Sequence, residues 1–218
     1  MMKKWTRWDT VVLILGMIPL VFAWTVYDQL PERIPSHFNL SGEPDDYSDK
    51  ATFIPLMAGM GLGLPFLIKW LPALDPRKEN YRKFTSSYEL FRVALTGFLG
   101  GIFIATLLYA LGYPVDLSQV VPVGIGLLWM VLGNFLGRIR SNYFFGIKLP
   151  WTLENEEVWR KTHRFSGPVW MGAGMVIVVS AFLPPWVRGG LIFVAILLTI
   201  LLPVGYAYRV YRKIHQES

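Results

Sequence analysis

Six long apolar runs, separated by short polar segments, constrain this chain more than any other feature of its sequence. A transmembrane helix needs about 20 consecutive, mostly apolar residues. The runs cover roughly residues 10–27, 51–71, 91–111, 120–136, 167–183 and 187–208. Only 17% of the residues are charged, whereas a soluble domain carries about 25%. The sequence therefore predicts an all-α integral membrane protein, a bundle of six transmembrane helices, and argues against a soluble globule or a disordered chain.

Lys and Arg residues are distributed unevenly between the two sides of such a bundle. Alternate segments place sixteen of the 21 on one side, beginning with Lys3, Lys4 and Arg7, and three on the other. The remaining two, Lys69 and Arg92, lie at the inner ends of the second and third spans. Because cytoplasmic loops are enriched in Lys and Arg, this asymmetry predicts that both termini are cytoplasmic. Charges confined to such segments also argue against nucleic acid as a direct partner, despite the net charge of +6.

Motifs that carry chemistry are scarce in this chain. There is no cysteine, and the histidines are His37, His163 and His215, so thiolate sites and His-rich metal sites are excluded. P-loop, zinc-protease, nucleophile-elbow and dinucleotide motifs are missing. No Asp, Glu or His lies near the centre of a predicted span, whereas proton-coupled carriers usually need one. We expect a protein that is not an enzyme and needs no cofactor or metal. The alternatives are a small-solute or lipid transporter, or a membrane enzyme using His37 with Asp45 or Asp46.

Glycines recur four residues apart inside three of the predicted spans. The pairs are Gly59 with Gly63, Gly97 with Gly101, and Gly133 with Gly137. Such spacing lets helix backbones approach closely. We expect close packing within the bundle, with specific dimerisation as the alternative, so the oligomeric state stays open.

The predicted outer loop, residues 28–50, is rich in Pro, Gly, Asn and Asp, with apolar residues interspersed. This composition predicts an ordered cap on the bundle, compatible with a short hairpin. Residues 39–42 suit a turn in which Gly42 supplies a positive φ. Three interpretations stay open: a surface for a cationic or amphipathic peptide, a metal site of His37 with nearby aspartates, and a structural plug.

The predicted cytoplasmic loop, residues 138–165, has an acidic segment followed by a basic one. Such an order complements the helix dipole. With Thr152 as N-cap, it predicts a short interfacial helix over residues 153–165. Trp151 and Trp159 would then enter the headgroup region. Two roles stay open, an anchor between spans four and five, and a docking face for a cytosolic protein.

Both loops resemble known sequence signatures. The segment Ile34-Pro35-Ser36-His37-Phe38-Asn39, followed by Gly42, Asp45 and Lys50, resembles that of a bacterial membrane domain of unknown function that precedes SdpI-type sequences. Residues 142–164, including Gly146-Ile147-Lys148-Leu149-Pro150-Trp151-Thr152-Leu153, look like the SdpI-family motif. The resemblance covers nearly the whole chain, as an N-terminal part in residues 1–72 and an SdpI-like part in residues 89–208. Lys148 and Leu149 depart from it, since the family often has Arg and Thr there, and Lys lacks the planar fork of Arg.

The resemblance implies a multi-pass protein of the bacterial cytoplasmic membrane, surrounded by lipid, that protects its producer from a secreted, membrane-active toxic peptide. It also implies signalling through recruitment of a cytosolic repressor. The residues expected to face the toxin are Pro35, His37, Asn39, Gly42, Asp45 and Lys50. The residues expected to bind the cytosolic partner are Asn142, Gly146, Lys148, Trp151, Thr152, Trp159, Arg160, Lys161 and His163.

Overall fold

The computed structural model describes residues 4–39 and 41–216 as a mostly helical protein. Its α-helices are α1 (Arg7–Val26), α2 (Lys50–Ala58), α3 (Leu64–Leu74), α4 (Thr85–Ala110), α5 (Leu117–Leu136), α6 (Pro150–Glu154), α7 (Glu156–Ser180) and α8 (Pro185–Gln216). Two strands, β1 (Arg33–Phe38) and β2 (Pro44–Asp49), pair antiparallel between α1 and α2. Lys3 of the basic tail and Leu40 of the predicted turn lie outside the described residues.

Five helical segments of the described chain are long and apolar enough to cross a membrane. They are Arg7–Gln29, Lys50–Leu74, Thr85–Ala110, Leu117–Leu136 and Pro185–Gln216. The remaining predicted run, residues 167–183, coincides with the second half of α7, which is 25 residues long. The first half of α7 carries charged residues from Glu156 to Arg164, and these lower the hydropathy of the helix. The helical membrane architecture is confirmed, and the helices that pass on length and composition number five rather than six.

The second candidate span is one continuous helical segment with an internal π-helical turn. A π-helical turn, Gly59–Gly63, joins α2 to α3, and π-turns interrupt the regular hydrogen-bond ladder. Pro72 lies inside α3, and proline leaves the carbonyl four residues earlier without its helical donor. The hydroxyl of Tyr88 in α4 donates to that carbonyl, Ile68 O, at 2.6 Å. A hydrogen bond from a neighbouring helix therefore replaces the one that Pro72 removes.

A side chain from another helix also replaces a hydrogen bond that a proline removes near the start of α5. Pro122 lies inside this helix, so the carbonyl of Ser118 loses its helical donor. Nη1 of Arg188, in the first turn of α8, donates to Ser118 O at 2.6 Å. Arg188 is buried, and its contact with Ser118 joins α8 to α5.

Helices α5 and α7 pack at close range through small residues. A Cβ on Gly126 would lie 2.5 Å from Gly174 O, and one on Gly133 would lie 2.7 Å from Gly167 O. Backbone-to-backbone packing of this kind needs glycine on both helices. For Gly133 the packing interpretation is confirmed. Open space surrounds the Cβ positions of the other two pairs, Gly59 with Gly63 and Gly97 with Gly101.

Buried apolar clusters lie at the two ends of the bundle. One contains Ile34 of the hairpin with Phe53, Phe103 and Leu107, and we call this the hairpin end. The other contains aromatic residues from the segment before α4 and from α4, α5 and α7, namely Tyr81, Phe84, Tyr88, Phe135 and Trp159. We call this the loop end, because residues 75–83 and 138–155 meet there. Both candidate sites are built on these clusters.

Candidate functional site

The outer hairpin is anchored to the bundle by one of its faces. Ile34 is fully buried, and Phe53 and Phe103 belong to the same cluster. Phe38 packs edge-on against Tyr109 of α4, with ring centroids 5.3 Å apart. The prediction of an ordered cap with a short hairpin is confirmed, and apolar burial is what holds it.

The turn of the hairpin rests on the N-terminus of α5. Asn39 Oδ1 accepts hydrogen bonds from the backbone N–H groups of Ser41 and Glu43, at 2.9 and 3.0 Å. Gly42 has a φ of 85°, which confirms the predicted positive φ. A Cβ there would lie 2.7 Å from Ser118 Cβ. Asn39 and Gly42 therefore shape the turn and its close approach to α5.

His37 and Asp45 form the exposed polar centre of the hairpin. His37 Nδ1 lies 2.5 Å from Asp45 Oδ1, and the two side chains are 70% and 45% exposed. Both side chains are therefore accessible to a ligand. The described residues contain no group of three or more His, Cys, Asp or Glu side chains placed to hold a metal ion.

The other two predicted outer residues are engaged within the protein. Pro35 is buried. Lys50 Nζ lies 2.9 Å from Glu32 Oε1 and 4.8 Å from the ring centroid of Tyr27. Both positions therefore support the base of the hairpin, whereas His37 and Asp45 are exposed.

At the loop end, Asn142 organises the segment after α5. Its side chain is fully buried. Its Oδ1 accepts from the N–H groups of Phe144 and Phe145, at 3.0 and 2.6 Å. Its Nδ2 donates to the carbonyls of Arg140 and Phe145, both at 2.8 Å. Four backbone contacts from one buried amide fix the turn, so Asn142 is unavailable to a partner protein.

Gly146 and His163 form a second fixed point. His163 Nδ1 donates to Trp159 O at 2.8 Å, and its Nε2 accepts from Ile147 N–H at 2.9 Å. Both contacts suit the neutral ring, and burial lowers the pKa of His163 to about 4. Gly146 has a φ of 114°, and a Cβ there would lie 2.5 Å from His163 Nε2. The loop can approach the imidazole only because residue 146 is glycine.

The predicted helix over residues 153–165 is wrong in its start and its extent. Thr152 lies inside α6, and its hydroxyl accepts from Leu149 N–H at 2.8 Å and lies 2.9 Å from Ile147 O. The N-cap of α7 is Asn155, whose Oδ1 accepts from Glu157 and Val158 N–H. From there the helix continues without a break to Ser180. The acidic-then-basic segment is therefore the first part of a long helix, and not a separate interfacial one.

Trp159 does not enter the headgroup region, which corrects that prediction. Only 2% of it is exposed, and its Nε1 donates to Ile139 O at 2.8 Å. Trp151 packs against Tyr208 and Tyr211 of α8. The two tryptophans lie in different helices because the backbone at Asn155 is extended, which ends α6 before α7 begins.

Three of the nine predicted partner-binding residues are exposed, namely Lys148, Arg160 and Lys161. Lys161 Nζ lies 2.8 Å from Glu157 Oε1, and this contact lowers the pKa of the Glu157 carboxyl. The exposed face of the loop is therefore basic, and the buried motif residues hold it in place.

A second segment, residues 75–81, is tied to this loop. The carboxylate of Asp75 accepts from Tyr81 OH and from Tyr143 N–H, at 2.9 and 2.8 Å. Burial raises the pKa of the Tyr81 hydroxyl, and the hydrogen bond to Asp75 adds to this. Arg77 donates to Ser141 Oγ and to Leu153 O. Sequence reasoning counted Arg77 only among the charges that indicate membrane topology. The sequence Asp75-Pro76-Arg77 was the feature that could have indicated its structural role.

Four charged residues are buried together where α1, α3 and α4 meet. Asp9 Oδ2 lies 2.7 Å from Lys69 Nζ, and Asp9 Oδ1 lies 3.0 Å from Arg92 Nη2. Arg92 Nη1 also lies 2.5 Å from Glu89 Oε2. Sequence reasoning assigned Lys69 and Arg92 to span ends without partners. The signal it overlooked was the opposite charge of Asp9 and Glu89 at the same depth.

Comparisons with known proteins match both halves of the chain. Residues 138–207 match the SdpI/YfhL protein family, and residues 14–62 match a domain of unknown function, DUF1648. The chain is 24% identical to Immunity protein SdpI of Bacillus subtilis (strain 168) over 214 residues, which is 98% of this chain and 99% of that protein. No solved structure matches it. This chain is therefore a multi-pass bacterial membrane protein that is similar to the SdpI/YfhL family in its C-terminal part and to the DUF1648 domain in its N-terminal part.

Proposed function

We propose that this protein makes its producer resistant to a secreted, membrane-active toxic peptide. The observation that carries the proposal is the similarity to Immunity protein SdpI along nearly the full length of both chains. That similarity includes the outer hairpin and the loop end, which are the two candidate sites described above. A role in immunity requires no catalytic residues, and we propose none.

The toxin contact is proposed to be the exposed face of the hairpin. His37 and Asp45 stand at its centre, and Asp46 and Tyr47 are exposed beside them. A surface of carboxylates with an aromatic ring fits a cationic, amphipathic peptide, because opposite charges steer association. The remaining residues of the predicted set, Pro35, Asn39, Gly42 and Lys50, would act by holding this face in shape.

Production in a sensitive bacterium challenged with candidate toxic peptides tests the immunity role. His37→Ala with Asp45→Ala should reduce survival while the amount of protein in the membrane stays constant. Ser36→Ala, on the same strand, is the matched control and should retain protection. Equal loss of protein and protection in the double variant would instead assign these residues a structural role. Failure of the parent protein against every peptide would contradict the immunity proposal.

We propose six membrane spans with both termini in the cytoplasm, the second half of α7 being the additional span. The support is the asymmetry of Lys and Arg, together with the contacts of the chain ends. Lys69 Nζ lies 3.3 Å from Lys4 O, and Trp151 packs against Tyr211, both towards the loop end. Reporter fusions after Ser218 and within the hairpin should report cytoplasm and exterior respectively. An exterior C-terminus would overturn this topology.

We propose that the loop end also carries a signal by recruiting a cytosolic repressor. The exposed cations Lys148, Arg160 and Lys161 would provide the contact. Reversal of Arg160 and Lys161 to Glu should abolish recruitment to the membrane and spare resistance, because the hairpin lies at the opposite end. Loss of both activities at normal protein abundance would reject this division between the two ends.

A further inference from the structure

A polar cleft of about 240 Å³ opens at the loop end. It lies between residues 75–83, residues 138–155 and the start of α7. Three cations line it, Lys83, Arg140 and Arg160, together with the carboxylates of Glu156 and Glu157. All five side chains belong to exposed residues. The cleft is distinct from the toxin-facing hairpin, and most of its charged residues belong to neither predicted set.

The charges of the cleft are unbalanced. Glu157 is already paired with Lys161 at 2.8 Å. Within the part of the chain that the structure describes, no ion pair engages Lys83, Arg140 or Arg160. Three cations therefore converge on one free carboxylate, that of Glu156. This surplus of positive charge points to an anionic ligand.

The frame around these cations is rigid. Ser141 and Trp159, which also line the cleft, are 3% and 2% exposed. Asn80 Nδ2 donates to Ser141 O at 2.8 Å, and Trp159 Nε1 donates to Ile139 O at 2.8 Å. A preformed site avoids the entropic cost of ordering loops when a ligand binds.

The depth of the cleft follows from helix lengths, given the topology proposed above. At 1.5 Å per residue, the 20 residues of α5 span about 30 Å, the thickness of the hydrocarbon core. Lys83 precedes the first residue of α4 by two positions, and Arg140 follows the last residue of α5 by four. Both cations therefore lie at the level of the lipid headgroups. Tyr143 and Phe144, 42% and 38% exposed in the same loop, suit that interface.

We propose that this cleft binds the phosphate of an anionic glycerophospholipid from the inner leaflet. Basic pockets between transmembrane helices on the cytoplasmic side favour such headgroups. Arg140, Arg160 and Lys83 donate to the phosphate oxygens, the guanidinium groups being able to do so in bidentate form. Glu156 accepts a hydrogen bond from a glycerol hydroxyl of the headgroup. A lipid bound in the cleft thus attaches residues 75–83 and 138–155 to the membrane surface.

Native mass spectrometry of the full chain released from detergent micelles tests the proposal. The probe is phosphatidylglycerol, compared with phosphatidylcholine of the same acyl chains and with inorganic phosphate. The parent protein should retain one phosphatidylglycerol and little phosphatidylcholine. Replacing Lys83, Arg140 and Arg160 by Gln should lower that retention by about a hundredfold, since each interfacial cation contributes about 1 kcal/mol and every 1.4 kcal/mol is tenfold.

The matched control removes three other cations predicted to be cytoplasmic, Arg138, Arg209 and Arg212, also by substitution with Gln. This variant should retain phosphatidylglycerol like the parent, and circular dichroism should show the same helix content for all three proteins. Equal loss in both variants would overturn the proposal, because it would indicate general attraction to anionic lipid. Displacement of the lipid by inorganic phosphate would identify free phosphate as the ligand and overturn the lipid assignment. Binding of an acidic peptide in place of lipid would assign the cleft to a protein partner. Failure of the immunity assay leaves each of these outcomes unaffected.

Discussion

At the scale of single residues, the loop end depends on a side chain that fits in only one protonation state. His163 is such a group, because Nε2 must accept from Ile147 N–H while Nδ1 donates to Trp159 O. A protonated ring would place a second donor against Ile147 N–H. The neutral imidazole is therefore part of the folded structure, and pH becomes a test of this arrangement.

Acidification should destabilise the protein through His163. The folded pKa is lowered to about 4 from an ordinary value of 6.5, so the unfolded chain takes up the proton first. Stability is complete above pH 6.5 and falls as pH decreases towards 4, by at most about 1.4 kcal/mol per pH unit. Unfolding measured in detergent between pH 7.5 and 4 should show this slope. His163→Gln should flatten it, whereas His37→Gln at the exposed hairpin should not; an unchanged slope in His163→Gln would contradict the assignment.

Gly146 gives a second prediction at this scale. Gly146→Ala should destabilise the fold by about 1–3 kcal/mol, because the new Cβ meets His163 Nε2 at a positive φ. Gly172→Ala in α7 is the control, since nothing lies within 4 Å of its Cβ position. The measurement is chemical unfolding in mixed micelles. Equal stability of the two variants would show that the loop can move away from the imidazole.

At the scale of elements, two prolines inside helices are compensated by donors from neighbouring helices. Pro72 frees Ile68 O and Tyr88 of α4 supplies the donor, while Pro122 frees Ser118 O and Arg188 of α8 supplies it. In a membrane no water is available to satisfy such a carbonyl. Each proline thereby determines which neighbouring helix must lie beside it, and with what side chain.

Tyr88→Phe should lower the free energy of unfolding by about 1–3 kcal/mol, because it leaves Ile68 O without a donor. Adding Pro72→Ala should recover part of this loss, since an alanine at this position supplies the N–H that the helix needs. The coupling energy from the four proteins of this double-mutant cycle is the quantity to measure. Strict additivity would show that Tyr88 acts through ring packing instead of its hydroxyl.

At the scale of the whole molecule, buried charges connect helices that are distant in the sequence. Asp9 of α1 contacts Lys69 of α3 and Arg92 of α4, and all three residues are buried. Removing one member of such a group leaves the others as uncompensated charges, which costs far more than the group contributes as a whole.

Asp9→Asn should therefore destabilise the bundle by about 3–5 kcal/mol and reduce its abundance in the membrane. Glu79→Gln is the control, because Glu79 forms an exposed pair with Arg82 and should have little effect. Unfolding in mixed micelles and the amount of protein in the membrane are the two readouts. Comparable stability of both variants would show that water or lipid headgroups reach Lys69 and Arg92.

The sequence by itself determined the membrane class, the apolar segments, the uneven placement of cations, the ordered outer loop with its glycine turn, and the resemblance to the SdpI family. These are local properties, since hydropathy, turn chemistry and motif spacing are each read within a window of about 20 residues. The tertiary structure alone decided which motif residues are buried. Asn142, Thr152, Trp159 and His163 are polar or amphipathic side chains that sequence reasoning placed on a surface. They are interior because the loop folds over them and supplies backbone hydrogen-bond partners, among them Ile139 for Trp159 and Ile147 for Thr152 and His163. The N-cap moved from Thr152 to Asn155 for the same reason, because the Thr152 hydroxyl was already engaged by the preceding loop. The four buried charged residues around Asp9 and the polar cleft at the loop end likewise join residues that are far apart along the chain. No window of about 20 residues contains either feature.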